Sequence, residues 1–547
     1  MDYSYLNDTL IILASTVAVV FLFLRIGLPP ILGYLAVGGL IGPYGLALVF
    51  DVEHIRVLAE FGVVFLLFTI GLEFSMPLLI RMRGSVLGLG GAQVLLTMAL
   101  TAAVAIYFGF SIETALVLGG VVAMSSTALV IKQLSDQVEL HTRHGRNTVS
   151  ILLLQDLMVV PMLILVASLS GREAPTSAMT VLTAFGEGVL ALVLIFAFGH
   201  WVLRPLFRAV ARFRSAELFT LTVLLVVLCS AWATQQIGLS FALGAFLAGV
   251  MLSETEFRHQ VESEIRPFRD VLLGLFFISV GMMLNIRLMP DIWQWVLLFL
   301  AVLMLGKLLL VMGLCRLAGW NSAVSMRTGL ILAHGGEFGF AILILALDAN
   351  LFSPDVAQIV IATLLFSIGL APFILRYNGE ITAFIMPAAI AMSRKKVKDQ
   401  IVGKARGLNH HVIICGFGRV GQNTMKMLDD EGIHCIAIEL DQERVKLADA
   451  AKQPVYYGDA ASLELLNACG LSRASAVVVS MVDFNTAKKI LRRIRSVDAA
   501  LPVIMRARKE IHLYQLYQAE ASDVVADTFD TSQMLTQEML RRFNIHN

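Results

Sequence analysis

The stretch ILLLQDLMVVP, residues 151–161, decides the fold, because it places a carboxylate and an amide in the middle of an apolar run. The run extends over residues 147–170, and a helix that crosses a bilayer needs about 20 mostly apolar residues. An ionised side chain at the bilayer centre costs about 2.5–3.5 kcal/mol on insertion scales, so a carboxylate there needs a partner or a function. We therefore predict a membrane-spanning helix in which Asp156 is a functional group.

The composition of the whole chain points the same way. Its 547 residues are 57% hydrophobic and 15% charged, with a mean hydropathy of +0.78. Soluble domains are usually about 45–50% apolar and about 25% charged, so this composition indicates a membrane protein. No signal peptide is indicated, because the first apolar run starts near Thr9 without a basic segment before it. The net charge of +1 implies no nucleic-acid partner.

Apolar runs long enough to span a membrane follow one another from about residue 8 to residue 376. We predict thirteen spans, although the ninth is short enough to leave the count open by one. A basic segment, Arg394 to Lys398, then leads into a sequence of ordinary globular composition. We predict a membrane domain over residues 1–378, a linker over 379–409 that is helical along the membrane surface, and a globular domain over 410–547. The predicted spans lie near residues 8–24, 30–50, 57–77, 84–108, 112–134, 147–170, 180–202, 217–235, 238–252, 269–286, 291–315, 325–348 and 355–376.

The charges of the connecting segments predict the orientation, because cytoplasmic loops carry an excess of Lys and Arg. If the N-terminus is outside, the outward loops hold three arginines, Arg56, Arg172 and Arg287, and the inward loops hold thirteen. The globular domain is then cytosolic. The inward arginines are Arg25, Arg81, Arg83, Arg143, Arg146, Arg204, Arg208, Arg212, Arg214, Arg258, Arg266, Arg269 and Arg316.

A second intramembrane charge lies in the eleventh predicted span, where Lys307 follows Asp156 by 151 residues. We predict that Asp156 binds a cation and a proton in turn. The Lys307 ammonium would be the partner of the carboxylate when no cation is bound. A structural buried ion pair is the alternative interpretation.

Two predicted spans are interrupted by small, polar or glycine residues, at 123–127 in the fifth and at 333–339 in the twelfth. Irregular backbone at membrane depth is tolerated where it lines a cavity, and transporters with inverted repeats place two broken helices at the midplane. We predict such a pair, although close helix packing through small residues gives a similar pattern. The groups expected to replace part of a cation's hydration shell are those of Ser125, Ser126, Thr127, Gln155 and Glu337, beside Asp156.

Residues 410–480 have the pattern of a nucleotide-binding βαβ unit. The strand 411–415 leads into GFGRVG, residues 416–421, and a second strand ends at Glu439, 23 residues after the first glycine. In such a unit the glycines admit a pyrophosphate to the helix N-terminus, and the acid accepts from ribose hydroxyls. A decayed site is the alternative. The residues predicted to bind AMP or NAD(H) are Gly416, Gly418, Arg419, Gly421, Glu439, Asp441 and Asp459.

With these motifs in place, the membrane part resembles the monovalent cation:proton antiporter superfamily, and within it the Kef-type potassium efflux systems. The resemblance implies NhaA-like inverted repeats with crossed broken helices and an ion-binding role for Asp156. It also implies potassium bound at Asp156, because Kef-type proteins have Gln before the acid. The stretches that carry it are GYLAVG (33–38), FTIGLE (68–73), MSSTA (124–128), QD (155–156) and LGLFFISVGM (273–282).

The C-terminal part is similar to RCK/KTN domains, which gate potassium transport and usually dimerise. The resemblance implies a homodimer and a regulatory loop that carries Glu262 and Glu264. It also implies glutathione contacts at Arg506, Arg508 and Arg419. The chain ends without the extension found in glutathione-gated members, so we leave glutathione control open. A solvated loop and surface arginines are the alternative interpretations.

We therefore expect a potassium/proton antiporter of the bacterial inner membrane, regulated by a nucleotide, and not an enzyme. A nucleotide-gated potassium channel is an alternative, but the sequence has no TVGYG-type filter and thirteen spans are too many for that class. A sodium/proton antiporter is another, because spacing alone does not choose between the two cations. A transhydrogenase would need a second nucleotide domain, and the sequence has one glycine fingerprint.

Overall fold

The computed structural model describes residues 4–49, 52–73, 84–169, 201–203, 205–213, 215–236, 241–253, 255–405, 407–481, 483–507 and 510–526. The chain divides into two compact units. The first comprises Met1–Leu140 and Arg146–Thr382, and the second comprises His141–Gly145 and Ala383–Asn547.

The described part of the first unit consists of helices. Seven helices are long and apolar enough to cross a membrane, or eight if one bent pair counts as a single span, and two shorter apolar helices accompany them. The thirteen-span count stays a prediction, since much of the predicted span at 180–202 lies outside the described residues. The helices are α1 (Ser4–Arg25), α2 (Pro30–Ile41), α3 (Val52–Glu73), α4 (Gly91–Tyr107), α5 (Ile112–Ala123), α6 (Thr127–Asp136), α7 (Arg143–Leu169), α8 (Ala216–Gln236), α9 (Phe241–Ser253), α10 (Arg258–Met283), α11 (Met289–Leu317), α12 (Ser322–Leu332), α13 (Glu337–Asp348) and α14 (Pro354–Arg376).

Glycines bring several of these helices into backbone contact. A Cβ added at Gly38 of α2 would overlap the Ile278 carbonyl of α10, and one added at Gly249 of α9 would overlap the Phe68 carbonyl of α3. Between membrane helices, where the hydrophobic effect gives little drive, small residues permit the close approach that provides packing energy. Three stretches that carry the family resemblance, around residues 38, 71 and 281, are therefore helix-contact sites.

The charged segment at the start of α10 differs from the prediction. Residues 258–266 were expected to form a loop, but α10 begins at Arg258 and continues to Met283. The loop prediction was wrong there, because Glu, Gln and Arg are good helix formers and a spanning helix can extend past the apolar stretch. Glu264 accepts a hydrogen bond from Thr220 Oγ1 of α8 at 2.8 Å, and Glu262 lies 3.8 Å from His259 on its own helix.

A polar cluster ties three chain segments of the first unit together. Arg327 of α12 donates to both carboxylate oxygens of Glu139 at 2.6 Å and to the Asn378 side chain at 2.5 Å. Asn378 is fully buried and also donates to the Leu375 carbonyl. The cluster joins α12, the segment after α6 and the start of the helix over Asn378–Ile385.

The second unit contains a parallel six-stranded sheet in the order β3-β2-β1-β4-β5-β6. Both strands predicted for the βαβ unit are present as β1 and β2, and the glycine-rich segment leads from β1 directly into a helix. The order reverses between β1 and β4, and ligands of open parallel sheets bind at such a point, outside the carboxyl ends of the strands. The elements are β1 (His411–Cys415), α17 (Arg419–Asp430), β2 (Cys435–Glu439), α18 (Gln442–Ala450), β3 (Val455–Tyr457), α19 (Leu463–Ala468), β4 (Ala474–Val479), α20 (Phe484–Arg495), β5 (Val503–Ala507), α21 (Glu510–Gln518) and β6 (Asp523–Ala526).

The predicted linker is helical, with α15 over Asn378–Ile385 and α16 over Pro387–Ala405. Ile401 and Ala405 of α16 are buried in the core of the second unit, and Lys398 pairs with Glu464 of α19 at 3.2 Å. The globular unit therefore buries residues at the C-terminal end of α16.

Candidate functional site

Two helix breaks of the first unit lie against each other. The first break, residues 124–126, separates α5 from α6, and the second, residues 333–336, separates α12 from α13 with a bend of 45°. Gly336 lies so close to the first break that an added Cβ would be 2.6 Å from the Ser125 carbonyl carbon. Its φ of −128° is accessible to any residue, so close approach and not conformation explains the glycine. The predicted breaks are confirmed.

Lys307 of α11 holds the two breaks together. Its ammonium is buried and donates to the Met124 carbonyl at 2.7 Å, Ser125 Oγ at 2.8 Å and the His334 carbonyl at 2.8 Å. Both carbonyls lie at the C-terminal ends of incoming half-helices, where the helix dipole is negative and favours a cation. These contacts use all three donors of the ammonium, so a direct hydrogen bond to Asp156 would require one of them to be given up.

The amide of Gln155 is part of the same scaffold. Its oxygen accepts from the Ser125 N–H at 2.8 Å, and its nitrogen donates to the Gln93 side chain at 2.7 Å. Gln93 in turn donates to the Ala123 carbonyl at 3.2 Å, the last residue of α5. The Gln155 amide thus satisfies backbone groups that the first break exposes, the Ser125 N–H directly and the Ala123 carbonyl through Gln93. These contacts hold the first break against the part of α7 that carries Asp156.

The two carboxylates lie at the opposite, N-terminal ends of the outgoing half-helices. Asp156 is partly buried and accepts from Thr127 Oγ1, on the first residue of α6, at 2.8 Å. Glu337 is the first residue of α13, and it faces the Ser126 side chain and the Ala128 backbone at the start of α6. Helix N-termini favour negative charge, so the crossing separates charges by helix polarity. Among the described residues, Glu337 Oε2 has no hydrogen-bond partner.

The structure adds three residues to the site that sequence reasoning missed. Gln93 accepts a hydrogen bond from the Gln155 amide, and Ser367 of α14 accepts one from the Gly335 N–H at 3.0 Å. His334 is buried, with Nδ1 2.6 Å from the Gly335 carbonyl, and its Nε2 has no partner among the described residues. Gln93 was detectable as a polar residue inside an apolar run, but nothing in the sequence pairs it with residue 155.

In the second unit, the glycine-rich segment forms a tight turn between β1 and α17. Gly416 has φ +98°, a conformation that glycine adopts without strain. A Cβ at Gly421 would overlap the Gly416 carbonyl, so both glycines are required by the backbone path. Gly418 caps α17, whose N-terminal N–H groups can bind an anion. The segment fits a phosphate group of a nucleotide.

Acidic residues lie at the end of β2 and just after β2 and β3, at the same edge of the sheet. Glu439 Oε2 accepts from the Phe417 N–H of the glycine segment at 2.6 Å. Asp441 caps α18 through the Glu443 N–H, and Asp459 accepts from the Ala461 N–H at 2.8 Å. All three predicted acids are therefore near the carboxyl ends of neighbouring parallel strands, where a nucleotide would lie.

The predicted basic contacts belong to different elements of the second unit. Arg419 is exposed at the start of α17, and Arg506 of β5 donates to the Ser480 carbonyl at 3.3 Å. Arg508 lies outside the described residues.

Two buried thiols of this unit stay protonated, because burial raises the pKa of Cys415 and raises that of Cys469 to about 12. We therefore infer no thiolate chemistry for this pair.

Comparison with known proteins covers both units. The family model described as sodium/hydrogen exchanger, transmembrane, matches residues 11–377, and the TrkA-N domain model matches residues 412–527. The chain is 43% identical over 540 residues to a protein described as putative K(+) efflux antiporter KefB from Alkalimonas amylolytica. That match covers 99% of this chain and 82% of the relative.

Two further comparisons extend this result. K(+) efflux antiporter 1, chloroplastic, from Arabidopsis thaliana is 38% identical over 545 residues, and the match spans 98% of this chain but 45% of the plant protein. The solved structure of the sodium proton antiporter MjNhaP1 from Methanocaldococcus jannaschii has a TM-score of 0.52 and 14% identity. The match covers 69% of this chain and 97% of that one, and at this identity it shows a shared fold alone.

Proposed function

Since the chain belongs to the sodium/hydrogen exchanger family and is related over nearly its whole length to a K(+) efflux antiporter, we propose that it exchanges potassium for protons across a membrane. The observation that carries the proposal is the position of Asp156. It is one of two carboxyl groups at the crossing of the broken helices, and it accepts a hydrogen bond from Thr127 at a half-helix N-terminus. Asp156 binds potassium in one step of the cycle and a proton in the other.

The other groups at the crossing have distinct roles in this proposal. Ser125, Ser126, Thr127 and Glu337 offer oxygen atoms near the breaks, which can replace part of the hydration shell of the cation. Gln155 positions the site, because both ends of its amide are already hydrogen-bonded.

Lys307 keeps the two negative helix ends together throughout the cycle, since its donors are all engaged there. One carboxylate that carries one potassium ion or one proton makes the exchange electroneutral. A Lys307 that released a proton during the cycle would change this stoichiometry.

The TrkA-N domain regulates the exchange in this proposal by binding AMP or NAD(H) as a ligand that is not consumed. The backbone of the glycine segment and the acids after β2 and β3 support it. A homodimer, an outer N-terminus, a cytosolic C-terminal domain and an inner-membrane location belong to the proposal. Contacts of Glu262 and Glu264 with a regulatory domain, and glutathione contacts at Arg419 and Arg506, stay predictions.

The decisive experiment measures proton flux in proteoliposomes with potassium, sodium, rubidium or lithium on one side. Wild-type protein should give potassium-dependent proton flux, and Asp156→Asn should reduce it to the level of protein-free liposomes. Asp136→Asn removes an exposed carboxylate at the end of α6 and serves as the matched control. Exchange in a folded Asp156→Asn variant would refute the site. Proton flux that depends on sodium and not on potassium would favour the sodium/proton alternative. Potassium flux without proton coupling would favour a channel.

A further inference from the structure

The Glu439 carboxylate has four donors around it. Oε1 accepts from the N–H groups of Leu440 at 2.8 Å and Asp441 at 2.9 Å. Oε2 accepts from the Phe417 N–H at 2.6 Å and lies 3.4 Å from Nη1 of Arg444. A carboxylate offers about four acceptor positions, so these donors occupy all of them. A ribose hydroxyl can reach this acid only if one donor leaves.

Arg444 is the donor that can leave. The three backbone N–H groups are fixed by the glycine segment and by the chain that leads into α18. The Arg444 contacts, 3.4 Å to Glu439 and 3.5 Å to Asp441, are the longest in the cluster. Its side chain is 43% exposed, so it can change rotamer without disturbing the core.

The guanidinium also lies beside the predicted phosphate position. A Cβ built on Gly418 would be 3.3 Å from Arg444 Nη1, and Gly418 is the residue that caps α17. The N-terminus of α17 is where a phosphate would bind. Arg forms short, paired hydrogen bonds with phosphate oxygens, and such charge-assisted bonds are stronger than its present long contacts.

We propose that Arg444 recognises the 5′-phosphate of a ribonucleoside phosphate. Glu439 exchanges its Arg444 contact for a ribose hydroxyl, and the released guanidinium pairs with the phosphate over Gly418. The proposal rests on the nucleotide binding proposed above and adds a specificity. The domain distinguishes nucleoside 5′-phosphates, such as AMP or NAD, from nucleosides that lack the phosphate.

The test is calorimetric titration of the full-length protein in detergent with 5′-AMP, 2′-AMP, NAD and adenosine. Arg444→Gln should raise the Kd for 5′-AMP at least ten-fold. The Kd for adenosine should stay the same or fall, because the variant lacks the group that competes for Glu439. Lys446→Gln, an exposed charge on the same helix, is the control and should change neither Kd. Arg444→Lys should recover part of the 5′-AMP affinity.

Three outcomes would overturn the proposal. An equal loss of affinity for both ligands would show that Arg444 only stabilises the domain. An unchanged 5′-AMP affinity would place Arg444 outside the site. A loss of affinity for 2′-AMP without a loss for 5′-AMP would assign it to the other phosphate position. If the wild-type protein binds neither 5′-AMP nor NAD, the regulatory part of the proposed function fails as well, whereas potassium/proton exchange is tested independently.

Discussion

Gly336→Ala tests whether the two helix breaks touch as the structure shows. The added methyl carbon would lie 2.6 Å from the Ser125 carbonyl carbon and 3.0 Å from the Ser126 nitrogen. Carbon atoms pack best at about 3.5–4.0 Å, so the two breaks must separate by about 1 Å. Both neighbours are backbone atoms within a hydrogen-bonded scaffold, so the strain has no flexible side chain to relax into. Overpacking of this kind costs about 1–3 kcal/mol of stability.

The functional effect should exceed the loss of stability. A displacement of about 1 Å in an enzyme site costs on the order of 100-fold in rate, and the carbonyls that Lys307 joins would move by a similar distance. We expect potassium-dependent proton flux in proteoliposomes to fall on the order of 100-fold, with a lower midpoint of heat-induced aggregation in detergent.

Gly306→Ala is the matched control, because its added Cβ meets nothing within 4 Å although the residue adjoins Lys307. Alanine is favoured over glycine in a helix by about 1 kcal/mol, so this variant should be at least as stable as the wild type. If Gly336→Ala shows wild-type flux and stability, the close contact between the breaks is wrong, and the charge arrangement derived from it is wrong as well.

Two further predictions follow from the same structure. Lys307→Met should lower the midpoint of heat-induced aggregation more than Lys307→Gln does. In the Met variant the Met124 and His334 carbonyls lose their hydrogen-bond donor, which costs about 1–3 kcal/mol of stability for each carbonyl. Equal midpoints for the two variants would contradict this role of the ammonium. Gly421→Ala should weaken nucleotide binding at least ten-fold, because its Cβ would overlap the Gly416 carbonyl, whereas Gly403→Ala adds a methyl group in open space and should bind as the wild type does. Calorimetry on the full-length protein compares them, and tight binding by Gly421→Ala would refute the assigned path of the segment.

Several features could be predicted from the sequence because they depend on local chemistry. Apolar runs of about 20 residues indicate helices in a bilayer, because a helix satisfies its backbone groups internally where there is no water to bond. The breaks at 124–126 and 333–336 are visible as small and glycine residues inside such runs. The β1–glycine segment–α17–β2 order follows from short buried strands around glycines that a turn requires. Asp156 and Lys307 were found because a charge inside an apolar run needs an explanation.

The partners of these residues could not be predicted, because they come from segments far apart in the chain. The sequence predicted Lys307 as the partner of Asp156 when no cation is bound. It gave no indication that the three donors of Lys307 go to Met124, Ser125 and His334. Periodicity indicates which face of a helix is apolar, but it does not indicate which carbonyl a break frees or which side chain reaches it.

The extent of α10 and the role of Gln155 show the same limit. The charged residues in the first turns of α10 were predicted to form a loop, because charge ends a predicted span but does not end a helix. Gln155 was predicted to be a cation ligand. Only the positions of Gln93 and Ser125 show that both ends of its amide are hydrogen-bonded within the protein. The sequence by itself determined which residues are costly to bury in a membrane. Tertiary structure decided how each is satisfied, because hydrogen-bond partners depend on helix crossings that local sequence does not encode.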